Sequence, residues 1–182
     1  MAGNVANIDP YGPSAGRVHP EHYKRPDSLI IDIHGHIMTE GVDEEVRKHV
    51  PAMSLDAVKY ASPLTREISK KQNEDRHEEL VGVTKRLADM DKMCVDVMAI
   101  SPQPPQMHYD APEALGQETA QKVNDNIANA VSQAPDRLIG LGTVPLQNTD
   151  MALKELDRLI GELGFKGIQI GAQIGKDELS AK

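Results

Sequence analysis

The segment Asp32-Ile33-His34-Gly35-His36 has the clearest capacity for chemistry in this 182-residue chain. Alternate residues of an extended strand share a face, so the pattern predicts Asp32, His34 and His36 on one side, with His36 at the strand's end. Two imidazoles so placed can bind one divalent metal through their ring nitrogens. Gly35 between them adds no side chain to the opposite face. With seven histidines present, a pair two apart arises by chance in roughly a quarter of shuffled sequences, so the spacing alone is a weak signal. Its position sharpens it: the pair ends a buried apolar run, where polar groups are costly unless used. The competing reading is two structural histidines hydrogen-bonded to nearby backbone.

Other candidates are fewer. The Pro-rich stretch Ser101-Pro102-Gln103-Pro104-Pro105-Gln106 leads into His108, Tyr109 and Asp110. These three can reach the site from a stiff loop, and a plain surface loop is the alternative. Gln173 can hydrogen-bond a ligand. Lys85 and Arg86 read as solvated helix charges. Glu78, Glu79, Asp89 and Asp91 read as charges on or beside a polar helix face rather than a catalytic carboxylate pair. His19 and His22 flank Pro20, which disfavours a helix that would align them on a metal. The lone Cys94, in the apolar context Lys92-Met93-Cys94-Val95, reads as a buried structural thiol and excludes an intramolecular disulfide framework. There is no Gly-x-Ser-x-Gly elbow, phosphate-binding Gly-rich loop or Gly-x-Gly-x-x-Gly; Gly140-Leu141-Gly142 is a packing feature within a strand.

The elements that position these residues follow from periodicity. Residues 1–27 are polar and rich in Pro, Gly and His, and read as an N-terminal arm. Residues 28–33 form a nearly continuous apolar run, the pattern of a strand buried on both faces. Residues 38–77 read as an insert of short helices, Val42 to His49 and Leu64 to Asn73, punctuated by Pro51 and Pro63. Leu80, Val83, Leu87, Met90 and Cys94 then recur at steps of three and four, one face of a helix. Val95 to Ser101 is a second strand. Leu115, Ala120, Val123, Ile127, Ala130, Val131 and Ala134 mark a second helix, stopped by Pro135. Leu138 to Val144 is a third strand. Asn148 or Thr149 caps a third helix, closed by Gly164 at the C′ position. Lys166 to Gly171 is a fourth strand, and Ala172 to Lys182 hold a loop and at most the start of a helix. Buried strands alternating with amphipathic helices predict right-handed βαβ units and a parallel sheet, with reacting groups at the carboxyl ends of its strands.

Composition narrows the function classes. A net charge of −8 argues against a nucleic-acid binder and against an anionic membrane surface. No run approaches a membrane span, and Met1 to Tyr11 lacks the basic start and apolar core of a signal peptide. A cytoplasmic protein is the expectation. With one Phe, four Tyr and no Trp, the core must be built from aliphatic side chains and Met.

Four motifs, in order, resemble one family. Ile31-Asp32-Ile33-His34-Gly35-His36-Ile37 is similar to the first-strand signature of the amidohydrolase superfamily. Arg86-Leu87-Ala88-Asp89-Met90-Asp91 followed by Val95-Asp96-Val97 is similar to its first helix and second strand. The segments from Asp136 to Gln147 (DRLIGLGTVPLQ) and Glu162 to Gly171 (ELGFKGIQIG) resemble the branch containing 2-amino-3-carboxymuconate-6-semialdehyde decarboxylase and related aromatic-acid decarboxylases. The resemblance covers residues 28–182. It implies a TIM-type (β/α)8 barrel with a divalent metal, usually zinc, at its carboxyl-end mouth. His34 and His36 match the first two metal ligands, and Asp32 is assigned a supporting role behind them. His108 and Tyr109 are expected on a loop that meets the substrate. The implied chemistry is non-oxidative decarboxylation of a small carboxylated aromatic or muconate-like acid, with metal-dependent hydrolysis as the sibling reaction.

The departure is in extent. The family takes a further His from the fifth strand, another from the sixth and an Asp from the eighth, whereas four strands are expected here. A (β/α)8 barrel needs about 250 residues. The expectation is therefore the first four βα units, a truncated barrel, and its alternative is a catalytically inactive half-barrel that pairs with itself or another chain. Homo-oligomerisation is expected to use the arm or the insert.

Overall fold

A computed structural model describes residues 24–50 and 61–174 and the backbone of Asp177 and Glu178. His19, His22 and most of the expected arm lie outside the described residues.

Four strands form one parallel sheet in the order β1-β2-β3-β4: β1 Ile31–Ile37, β2 Val97–Pro102, β3 Leu138–Gly142 and β4 Gly167–Ile168. The helices are α1 Val42–His49, α2 Pro63–Asp75, α3 His77–Val81, α4 Val83–Lys92, α5 Glu113–Gln133 and α6 Thr149–Gly161. A 3-10 turn spans Pro104–Met107. This is an α/β partial barrel made of parallel strands in chain order with helical crossovers, in line with the expected first four βα units.

Local rules account for most boundaries. Ser62 accepts a hydrogen bond from Thr65 N–H and Pro63 occupies the first turn of α2. Asn148 caps α6 by accepting from Met151 N–H at 3.1 Å. The α5 stripe Gly116, Ala120, Val123, Ile127 and Ala130 is buried at helical spacing against β2 and β3. Ile37, Met90, Ile100, Ile127, Leu138 and Leu159 are among the largest fully buried side chains. Phe165, the single Phe, packs where a Cβ on Gly140 would sit 2.7 Å from its ring.

Several boundaries differ from expectation. The stripe from Leu80 to Cys94 is broken at Gly82 into α3 and α4. Cys94 lies beyond the helix at φ 58° and is partly exposed, so it is not the expected buried thiol. β3 ends at Gly142, two residues early, for a visible reason. The buried Asn124 side chain takes both backbone groups of Thr143, accepting from its N–H at 2.9 Å and donating to its C=O at 2.8 Å. That pairing substitutes for a strand ladder. Gly164 adopts φ +69°, but the α6 C-cap is Glu162. Where a loop leading to a helix was expected, a short antiparallel pair forms, β5 Gln173–Ile174 with β6 Asp177–Glu178.

Candidate metal centre and the adjoining cleft

The end of β1 is not a regular strand. Asp32 pairs with Met98 and Gly35 with Ile100, so β1 advances three residues while β2 advances two. This bulge re-aims side chains. Gly35 turns toward the helices: a Cβ there would lie 2.6 Å from the Met98 sulfur. Asp32, in register with Met98, shares that face, and the Arg86 charge acts on it from there. Asp32 is therefore not on the histidine face, which corrects the simple alternation. It still reaches His34 through the backbone, because its Oδ1 accepts the His34 N–H at 3.0 Å.

His34 and His36 do come together. Their ring centroids are 4.7 Å apart with planes at 81°. His36 Nδ1 lies 3.0 Å from the Pro102 carbonyl and 3.1 Å from Ser101 Oγ, and that hydroxyl also lies 3.1 Å from the Gly35 carbonyl, to which it donates. A carbonyl can only accept, so Nδ1 carries the proton and Nε2 keeps its lone pair, the arrangement that orients a ligating imidazole. Burial, and then the neighbouring His34, push the His36 pKa below the ordinary histidine value. The neutral, ligating form is thereby favoured. Among the described residues no group of three or more His, Cys, Asp or Glu could hold a metal ion. The donor set fits the first two positions of a metal site and leaves the others open.

Arg86 corrects a second expectation. It is buried, not solvated, and Nη2 donates to the His36 carbonyl at 2.7 Å and more weakly to the Glu79 carbonyl at 3.3 Å. Nη1 lies 3.5 Å from the Met98 sulfur. Among the described residues no carboxylate comes within ion-pair distance of Arg86; Lys85 beside it pairs with Asp89 at 2.7 Å. Asp89 is itself buried.

The loop after β2 is also less superficial than expected. Gln106 is buried and its amide mimics a strand partner: Oε1 accepts from Thr39 N–H at 2.7 Å and Nε2 donates to Thr39 C=O at 2.8 Å. The loops after β1 and β2 are thus joined. His108 takes φ 47° and is buried, with Nε2 2.9 Å from Asp43 Oδ1. The Tyr109 hydroxyl accepts from Gly171 N–H at 3.3 Å, and burial raises its pKa. His108, Tyr109 and Asp110 line a cleft of about 580 Å³ with Asp43, Arg47 and Gln173. His34 and His36 are not among its lining residues. The structure therefore brings the two histidines to one place and the loop residues to another. Asp43, Arg47 and Gln106 were not singled out in the sequence. Asp43 and Arg47 stand four apart on α1, a spacing shared by many solvated pairs.

Comparison with known proteins places the fold. The family profile described as "Amidohydrolase" matches residues 31–182. The chain is 39% identical over 94 residues to 2-amino-3-carboxymuconate-6-semialdehyde decarboxylase of Dictyostelium discoideum, a match covering 52% of this chain and 26% of that protein. It is 32% identical over 97 residues to gamma-resorcylate decarboxylase of Polaromonas sp., covering 53% of this chain and 29% of the relative. Among solved structures, 5-carboxyvanillate decarboxylase from Sphingomonas paucimobilis superposes with a TM-score of 0.66 at 27% identity, covering 80% of this chain and 43% of the other. The Novosphingobium aromaticivorans enzyme, complexed with manganese and 4-hydroxy-3-methoxy-5-nitrobenzoic acid, gives 0.64 at 27%, covering 88% and 45%. The chain thus spans less than half of each of these proteins. No helix among the described residues is long and apolar enough to cross a membrane. Fold, strand order and a family match over most of its length agree: the chain belongs to the amidohydrolase family.

Proposed function

We propose that this chain supplies the first two ligands, His34 and His36, of a divalent-metal carboxy-lyase acting on a small carboxylated aromatic or muconate-like acid. The observation that carries this reading is the pair of facing imidazoles at the carboxyl end of β1, with His36 Nδ1 committed to Pro102. The relatives named above, all decarboxylases, support loss of carbon dioxide over the sibling hydrolysis. A bound metal supplies Lewis acidity toward the substrate's oxygen atoms. Zinc is the metal the family resemblance favours, and manganese is the one present in the Novosphingobium structure.

The chain's own residues have separable tasks. Pro102 C=O and Ser101 Oγ hold the His36 ring, and Asp32 holds the His34 backbone. Tyr109, tied to Gly171, the Arg47 guanidinium and His108 line the cleft where a carboxylate can be oriented. The proposed setting is cytoplasmic. The test is calorimetric titration of Zn²⁺ and Mn²⁺ into the chain, with carbon dioxide release from hydroxylated benzoates measured on its full reading frame. His34→Ala and His36→Ala should each abolish both, and unchanged metal binding and turnover in these variants would refute the assignment.

A second reading is favoured by one observation: Ile31 and Ile33 on β1 are 48% and 76% exposed. Apolar side chains on an edge strand suit assembly with another chain or another copy. A well-folded monomer in analytical ultracentrifugation would remove this reading.

A further inference from the structure

Burying a guanidinium is expensive unless a carboxylate meets it. Arg86 is 9% exposed, yet its described partners are two peptide carbonyls and a thioether. An aliphatic side chain would fill the same position on α4 at no electrostatic cost. Its neighbours Val83 and Met90 on the same helix face do so. The contacts indicate what the charge is for. The shortest goes to the carbonyl of His36, and the acids acting on Arg86 through space are Asp32, whose carboxylate holds the N–H of His34, and Asp89. Opposite charges therefore grip opposite ends of the tripeptide His34-Gly35-His36, both from the helix side of the sheet. Gly35 leaves room for the grip, because a Cβ there would strike Met98, the residue on which Arg86 rests.

We propose that Arg86 is a positioning residue for the metal pair: with Asp32 it fixes the backbone of the bulge so that both imidazoles project from the opposite face at ligating separation. This rests on the reading of His34 and His36 as metal ligands.

The test uses the 182-residue chain with two independent readouts. Zn²⁺ affinity is measured by calorimetry, and the protonated ring nitrogen of His36 is identified by long-range ¹H–¹⁵N NMR without metal. Arg86→Met should weaken Zn²⁺ binding about ten-fold or more, the usual effect of removing a group behind a ligand. It should also convert His36 from a single Nδ1–H tautomer to a mixture. Arg86→Lys, which keeps the charge but not the fork, should give a smaller loss and carries the test if the Met variant does not fold. Wild-type affinity and a single tautomer in folded Arg86 variants would overturn the proposal while leaving the ligand assignment standing. A wild-type chain that binds no Zn²⁺, but whose His36 tautomer still depends on Arg86, would refute the ligand assignment and support the positioning role.

Discussion

Gly35→Ala tests the geometry of the bulge directly. Gly35 does not need a left-handed backbone, since the positive-φ glycines among the described residues are Gly41 and Gly164. The cost of the new methyl is therefore steric. Its Cβ would lie 2.6 Å from the sulfur and 2.9 Å from Cγ of Met98, and 3.2 Å from the Ala99 carbonyl. Met98 is 6% exposed and backed by Arg86, so it has little room to retreat. Overpacking of this kind costs about 3 kcal/mol at the upper end of its range. Against this, the buried methyl returns ~0.8 kcal/mol and the stiffer unfolded chain ~0.7 kcal/mol. The expected net loss is about 1.5 kcal/mol, read as a lower urea midpoint at unchanged slope. In a Met98→Ala background the contacts with sulfur and Cγ disappear and the 3.2 Å approach to the Ala99 carbonyl remains, so the same substitution should become close to neutral, with a coupling of about 1–2 kcal/mol in the double-mutant cycle. A neutral Gly35→Ala, or a cycle without coupling, would put the missing Cβ on the other face and overturn the assignment of histidines to the side away from the helices.

Three further outcomes are expected. Burial alone would raise the Asp43 pKa, but His108 and Gln106 beside it outweigh that and hold it below the ordinary carboxylate range. Its stabilisation is therefore present above about pH 4 and lost as pH falls through the lowered value, so the advantage of wild type over Asp43→Asn should shrink in acid urea titrations. Arg158→Ala should cost about 3 kcal/mol by calorimetry, because Glu155, 2% exposed, would keep only Asn124 as a side-chain partner among the described residues; a loss below about 1 kcal/mol would mean that water reaches Glu155 readily. Gln106→Ala strands both backbone groups of Thr39 and should cost about 2–3 kcal/mol, with faster amide exchange at Thr39 and unchanged exchange in α5.

Much of this architecture was legible in the amino-acid order, for reasons that can be named. Helix α5 announces itself because Ala120, Val123, Ile127 and Ala130 repeat at helical spacing, and β1 because Leu29, Ile30, Ile31 and Ile33 form a nearly continuous apolar run up to His34. The spacing of two announces the histidine pair, which the structure keeps together although His34 lies inside the bulge. The bulge itself depends on pairing with β2, which no local pattern in β1 encodes, and so Asp32 was placed on the wrong face. Arg86 lies three residues after Val83 and four before Met90, on the inward face of α4. The spacing was informative there, and the residue type argued the other way. Asn124 was hidden for a similar reason: a polar residue inside an apolar stripe has its partner, Thr143, nineteen positions away. The cleft required α1, α2 and the loop after β2 to meet, a tertiary event with no sequence period.

The scarcity of aromatic side chains has an optical consequence at Tyr109. With no Trp in the chain, near-ultraviolet absorption and intrinsic emission rest on four tyrosines. Tyr109 alone of these lies among the described residues, with its ring packed against Gly171 and its hydroxyl accepting from that residue's N–H. A molecule entering the cleft must alter the polarity around this ring or break its hydrogen bond. Either event shifts the band of a chromophore that has no tryptophan signal to mask it, so the protein carries its own spectroscopic reporter at the wall of the cleft.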